Sequence, residues 1–366
     1  MLTLPTINDG DKWNGDLRVS ESAFWMDKTF LLKIEEIGFR NIDWDNTPDT
    51  LLIYLFLHDE PTIGETRSKS TKKEYFRDIR QFYDYAQSEF NLPLRSLQSE
   101  HLLRYQRFLE AKYKPTTATR KSSVVKSFFR YLASKKIITN DITNEMKKIK
   151  IKKDELVNRD LYDYEVKQLL EHFKKSDWFA YTLFYLLVST GMRINELATA
   201  KWDDLRFEPS VNHYFLEVKG KGNKRRDVII FSDVLEVVTE NRRRKGLITK
   251  VGHYDGTAFF PKYNGSHYNT KYLSNEFTRI VNSAPFDFIQ ARLKKEEQGD
   301  IRYRITPHTC RHYTAAYFMD QGIDPKAIQD MLGHSSLMTT ERYLRRKRDI
   351  KNHAGVKLGD SFFKHK

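Results

Sequence analysis

The stretch HTCRHYTAAYF at 308–318 packs two histidines, an arginine and the chain's single cysteine into its first five positions. Thr306 and Pro307 just before it read as a helix start, with Thr as N-cap and Pro at the first helical position. His308 and Arg311 stand three apart, so they share a face near that N-terminus. Unpaired N–H groups and the positive dipole end lie there too, and together they suit an anion such as phosphate. Cys310 is two residues from each histidine and points away from their common face, which makes a His308–Cys310–His312 metal triad geometrically poor. His308 and His312, at i and i+4, can hold zinc only with further ligands. The metalloprotease spacing HExxH fails at Thr309. The expectation is no metal.

Other candidates are scattered along the chain. In STGMRINELATAKWDDL (189–205), Arg193 and Glu196 are three apart; alone they read as a surface ion pair. VKGKGNKRRDVII (218–230) carries Lys221 on a basic turn, and it lacks the GxxxxGK[ST] pattern of a P-loop. In IDPKAIQDMLGHSSLMTTERYLRRKR (323–348), Asp324 caps a helix that Gly333 ends, and His334 follows. Tyr343 lies nine residues beyond His334. By itself such a tyrosine is a half-buried aromatic.

Composition narrows the partners. The chain has 366 residues, with 63 Lys and Arg against 49 Asp and Glu and a formal net charge of +14. That length suits two or three domains. The charge points to a polyanion, most often nucleic acid. One cysteine excludes an intramolecular disulfide framework, and no CxxC pair offers a zinc ribbon. The N-terminus MLTLPTINDGDKWNGDL lacks the basic and apolar regions of a signal peptide. The longest apolar run, FAYTLFYLLV (179–188), is too short to span a bilayer. A cytoplasmic, nucleoid-associated protein with no membrane partner is expected.

The elements that must position these residues follow from periodicity. Residues 47–60 start with Thr47 as a cap and then Pro48. With 70–90, 99–113 and 116–136 they read as helices, several of them amphipathic. Helices are also expected at 163–173 and 178–191, the second apolar nearly all round and therefore a buried core helix. Strands at 212–219 and 226–231 flank the turn GKGNKR. Helices resume at about 232–245, 270–283 and 286–297, then from Pro307 onward. The domain reading is an N-terminal extension (1–45), a helical unit (46–140), a basic linker (141–160), a second unit (161–350) and a C-terminal tail (351–366).

Arg193, Lys221, His308, Arg311, His334 and Tyr343, in this order and in the phrases TGMRINEL, VKGKGNKRRDVII, TPHTCRH, LGHSS and TTERYL, resemble the tyrosine recombinases, also called the lambda-integrase family. The motifs span 189–344, and the helical 47–140 is similar to the family's core-binding domain. The resemblance implies a mainly α fold with a small antiparallel β-sheet: a helical core-binding domain plus a mixed α/β catalytic domain. It implies DNA cleavage by Tyr343, a covalent 3′-phosphotyrosine and a free 5′-hydroxyl, then religation. Arg193 and Arg311 match the arginines that clamp the scissile phosphate. Lys221 matches the hairpin lysine that protonates the leaving oxygen. His308 matches the position that assists proton transfer at the nucleophile, and His334 one that contacts the phosphate. Glu196 and His312 match supporting positions.

No cofactor is implied, because the phosphotyrosine conserves the bond energy. The implied partners are double-stranded DNA at element ends or attachment sites, further copies of the chain as a dimer to tetramer on DNA, and accessory recombination proteins. Arg120, Lys121 and Lys126 in ATRKSSVVK, and Lys147, Lys148, Lys150, Lys152 and Lys153 in the linker, are candidate DNA contacts. Phe362 and Phe363 in the tail suit docking on a neighbouring protomer. The extension at 1–45 points to a mobile-element integrase or transposase. The alternatives are a chromosome-dimer resolvase, a type IB topoisomerase and a catalytically idle regulator. The insert FDFIQARLKKEEQGD (286–300) departs from minimal members.

Overall fold

The computed structural model describes residues 31–32, 47–59, 67–149, 160–220, 224–298 and 303–333. Lys150, Lys152, Lys153, Lys221, His334 and Tyr343 lie outside them, as do the tail and all of 1–45 except Leu31 and Leu32. The chain divides into two compact units, Met1–Leu156 and Val157–Lys366.

The first unit is helical: α1 (Asp49–His58), α2 (Lys69–Phe90), α3 (Ser99–Lys112) and α4 (Pro115–Ser134). Helix α1 has every residue after Asp49 buried, as an all-round apolar sequence requires. Its N-cap is Pro48, with no side-chain cap; Thr47, expected to cap, is itself buried. Asp49 instead reaches across to accept the Leu94 N–H at 2.9 Å. Helix α2 starts on Ser68, which accepts the Thr71 N–H, and ends on Asn91 in the left-handed region. Phe56, Phe82, Tyr105, Phe128 and Phe129 interlock edge-to-face at the centre. Residues 141–149, within the stretch expected to be a linker, pack on this unit. Thr143 and Met146 are buried, and the Lys147 carbonyl accepts from Gln106 at 3.0 Å. Ile142, Met146 and Ile149, beside the lysines, supply that apolar anchor.

The second unit holds α5 (Asp163–Ser176), α6 (Trp178–Thr190), α7 (Ile194–Thr199), strands β1 (Leu205–Glu208), β2 (His213–Lys219) and β3 (Arg225–Ile230), then α8 (Ser232–Arg243), α9 (Thr270–Asn282), α10 (Asp287–Glu297), α11 (Pro307–Asp320) and α12 (Pro325–Leu332). The expected hairpin is present, with Val218 opposite Arg226 and Leu216 opposite Val228. Its sheet gains an outer antiparallel strand, β1, which periodicity did not reveal because it spans only four residues. Helix α6 is the buried central helix. Asp177 caps its start, and Gly191 ends it with φ +61°. A Cβ on Gly191 would sit 2.6 Å from Leu332 Cδ2 and 3.3 Å from Thr314, so only glycine lets the end of α6 meet α11 and α12 this closely. The insert forms α10. Its Arg292 bonds the Asp160 carbonyl at 2.7 Å and Glu165 at 3.1 Å, which ties the insert to the start of the unit.

Candidate active site

Helix α11 begins as the sequence suggested. Thr306 is the N-cap and exchanges hydrogen bonds with Thr309, and Pro307 is the first residue. His308 is exposed, His312 is half-buried, and their rings meet edge-to-face at 4.4 Å. Cys310 points the other way and is fully buried, and burial pushes its thiol up. Arg311 also turns inward, only 2% exposed. It donates to the Gly191 carbonyl at 2.6 Å and to the Leu332 carbonyl.

Arg193 reaches the same place from the opposite side. It is the N-cap of α7, and its backbone N–H and Nη1 donate to Glu196 Oε2 and Oε1, each at 2.8 Å. Its Nη2 donates to the Gly333 carbonyl at 2.9 Å. The pair expected on the surface is thus half inside: the Arg193 side chain is 37% exposed, but Glu196 is only 1% exposed. Burial acts to raise the Glu196 pKa. The Arg226 charge and the hydrogen bonds from Arg193 and Arg226 outweigh it, and the carboxyl sits below its ordinary value.

Arg226 is the residue that sequence reasoning missed. From β3 it donates to Glu196 Oε2 at 2.7 Å and to the Met331 carbonyl. The signal was available. Strand side chains alternate, so Arg226 shares the inward face with the apolar Val228 and Ile230, while Arg225 and Asp227 face out.

Three arginines from three elements therefore converge on three consecutive carbonyls, Met331, Leu332 and Gly333, at the end of α12. That helix is capped by Asp324, and Gly333 closes it with φ +63°, as the sequence predicts. The negative end of a helix dipole is where cations are stabilised. One carboxylate faces three guanidiniums, so positive charge is in excess. Burial, and then the neighbouring Arg193, push the Arg311 pKa down to about 9; the group stays charged near neutrality. A dense, pre-aimed set of guanidinium donors is what a phosphodiester, or the charge that develops when one is attacked, requires.

Among the other candidates, Gly220 N–H bonds the Lys224 carbonyl at 2.8 Å and closes the base of the hairpin that carries Lys221. In the first unit, Arg120 is exposed but paired with Asp78. Lys121 is buried and bonds Asp78 at 2.9 Å and Gln81 at 2.5 Å, so its ammonium faces inward. Lys126 donates to the Met146 carbonyl at 2.6 Å. Lys147 and Lys148 are exposed.

The fold and site define a mostly helical protein of two units, with a small antiparallel sheet and a partly buried arginine cluster suited to an anionic phosphate. Residues 159–349 match the phage integrase family, and residues 62–136 match the phage integrase N-terminal SAM-like domain. The chain belongs to that family, the tyrosine recombinases. A tyrosine recombinase of Pseudothermotoga lettingae is 29% identical over 281 residues, covering 76% of this chain and 87% of that protein. Tyrosine recombinase XerC of Syntrophus aciditrophicus is 27% identical over 288 residues, covering 75% and 87%. In fold the chain is similar to the XerH site-specific recombinase in a post-cleavage complex with a palindromic difH substrate. The TM-score is 0.62 at 19% identity, over 85% of this chain and 94% of that one.

Proposed function

We propose that this protein is a site-specific DNA recombinase of a mobile element, which cuts and rejoins DNA strands through a 3′-phosphotyrosine on Tyr343. The observation that carries this reading is the convergence of Arg193 and Arg311 beside Glu196 at the end of α12. Arg311 is held by backbone carbonyls alone, and Arg193 by one carbonyl and the Glu196 carboxylate it shares with Arg226, so the cluster keeps positive charge for a phosphate. The Tyr343 phenol attacks phosphorus, and negative charge grows on the non-bridging oxygens, where Arg193 and Arg311 stabilise it. A phenol with a pKa near 10 attacks at neutral pH only with help from a base or a cationic site, and His308 and the arginines supply this. Lys221 protonates the leaving 5′-oxygen. His334 contacts the phosphate, and Glu196 and His312 support the site. A second 5′-hydroxyl reverses the steps and releases Tyr343.

Double-stranded DNA is the substrate, bound by dimers or tetramers, with accessory recombination proteins as further partners. Exposed Lys147 and Lys148, with Lys150, Lys152 and Lys153, follow the phosphate backbone. Arg120 adds a contact that Asp78 orients. The extension at 1–45, beyond a minimal recombinase, favours a mobile-element role over chromosome-dimer resolution.

A nicked duplex carrying the DNA that flanks the protein's own gene tests this. Tyr343 is expected to form a covalent adduct in EDTA, and Tyr343→Phe none. An adduct with Tyr343→Phe overturns the nucleophile assignment. Relaxation of plasmids that lack any such site points to a topoisomerase, and cleavage only at a chromosomal resolution site points to a resolvase.

A further inference from the structure

We propose that Arg226 is a positioning residue of the phosphate site: it grips the Glu196 carboxylate and the end of α12, and so fixes the directions in which Arg193 and Arg311 present their guanidiniums. This rests on the reading of the cluster as a scissile-phosphate site. Four observations support it.

First, Arg226 sits deeper than Arg193, its side chain 13% exposed against 37%. Arg311 is deeper still, at 2%, so depth separates Arg226 from Arg193 only, and its role follows from what it bonds. Second, it shares Glu196 with Arg193. Oε1 accepts from the Arg193 guanidinium, and Oε2 from the Arg193 backbone and from Arg226. Without Arg226, Arg193 is the one guanidinium among the described residues that still bonds the buried carboxylate, which then draws it away from the substrate. Third, the three carbonyls that hold the arginines are consecutive, so Arg226 on Met331 sets the position of the Leu332 and Gly333 carbonyls that hold Arg311 and Arg193. Fourth, the Arg226 stem fills the space over Gly333. A Cβ there would lie 2.9 Å from Arg226 Cδ and 3.2 Å from Nε. The Nε–H is buried and has no acceptor among the described residues. Leaving such a donor unmet is unfavourable, which fits a side chain held in place by its other contacts. Because β3 begins one residue after the Lys224 carbonyl that closes the turn, the same side chain ties the base of the Lys221 hairpin to the cluster.

The test uses the full-length protein, a nicked duplex that traps the phosphotyrosine, and single-turnover cleavage measured alongside DNA affinity and thermal unfolding. Wild type and Tyr343→Phe are the controls for the function itself. Arg226→Ala is expected to slow cleavage about ten- to a hundredfold while DNA Kd changes by less than about threefold. Arg226→Lys keeps the charge but loses the fork, and recovers part of the rate. The double variant Arg226→Ala/Glu196→Gln is expected to be no slower than Arg226→Ala, within about threefold, because both act through one contact. Arg226→Ala is also expected to recover rate toward acid pH, as Glu196, without the charge that keeps it ionised, protonates and releases Arg193, and Glu196→Gln removes that dependence.

A wild-type rate in Arg226→Ala overturns the proposal. So does a rise in Kd that matches the fall in rate, which makes Arg226 a DNA contact, and so do multiplicative losses in the double variant. If Arg226→Ala does not fold, Arg226→Lys decides: full activity in that variant overturns the proposal. Absence of an adduct from wild type is a different failure, that of the phosphotyrosine function.

Discussion

Each unit buries a carboxylate between two cations, Asp78 in the first and Glu196 in the second, and the surroundings of the two differ. In the helical unit Asp78 is 1% exposed and holds Lys121 and Arg120. Lys121 spends its ammonium on Asp78 and Gln81, and Gln81 in turn donates to the Tyr113 hydroxyl at 2.8 Å. The donors and acceptors are side chains of the helices themselves, so the charge is consumed in holding α2 against α4. In the other unit Glu196 is equally buried and pairs with Arg193 and Arg226, but these two and Arg311 each also rest on a backbone carbonyl at a helix end. Carbonyl dipoles orient a guanidinium without neutralising it. A buried acid with basic neighbours is therefore not a site in itself. The function proposed for the second cluster needs cations that are aimed by dipoles and outnumber the acid.

The largest expected effect tests the structural side of that contrast. Asp78→Ala leaves Lys121 buried without its acid and is expected to cost about 3–5 kcal/mol of stability in the helical unit. It should be read by urea unfolding, with cleavage per folded molecule at saturating DNA unchanged. If cleavage chemistry falls instead, the two clusters are not separable.

Arg311→Ala is the counterpart. Removing one donor to developing charge is expected to slow cleavage about 10²–10³-fold, or about 2.7–4 kcal/mol, with DNA affinity little altered. A matching loss of affinity would place Arg311 in ground-state binding.

The pH dependence of stability probes Glu196 directly. Its folded pKa is lowered, so its contribution is complete above the unfolded carboxyl value of about 4.3 and is lost as pH falls through the folded value. The stability difference between wild type and Glu196→Gln, titrated from about pH 6 to about pH 3, is expected to shrink at the acid end. A difference that grows there contradicts the cation-held carboxylate.

The smallest effect belongs to an exposed pair on the same sheet. Arg206 and Asp227 meet at 2.7 Å, yet both are nearly half exposed. Asp227→Asn is expected to cost at most about 1 kcal/mol and to leave cleavage unchanged, because water screens the pair.

Much of this was legible in the chain. The amphipathic run at 70–90 appears as Lys69–Phe90, the all-apolar run near 180 as the buried helix Trp178–Thr190, and the runs that flank the basic turn as the paired strands β2 and β3. The Asp324 and Gly333 caps and the Thr306–Pro307 start are as expected, because caps depend on a few adjacent residues. Thr47 failed as a cap because burial against other helices overrode the local preference. The anchor at Met146 was hidden by the lysines around it.

By itself the sequence determined most of the elements and their ends and the family motifs, since these rest on periodicity, capping and short-range spacing. Only the tertiary structure decided which cations stay inside and which are aimed outward. Arg120 and Lys121 are adjacent in the chain, yet one is exposed and the other buried. Arg193, Arg226 and Arg311 are far apart in the chain, yet they end on three successive carbonyls. Whether a charge is consumed or left available depends on the atoms that surround it after folding, and linear spacing does not carry that information.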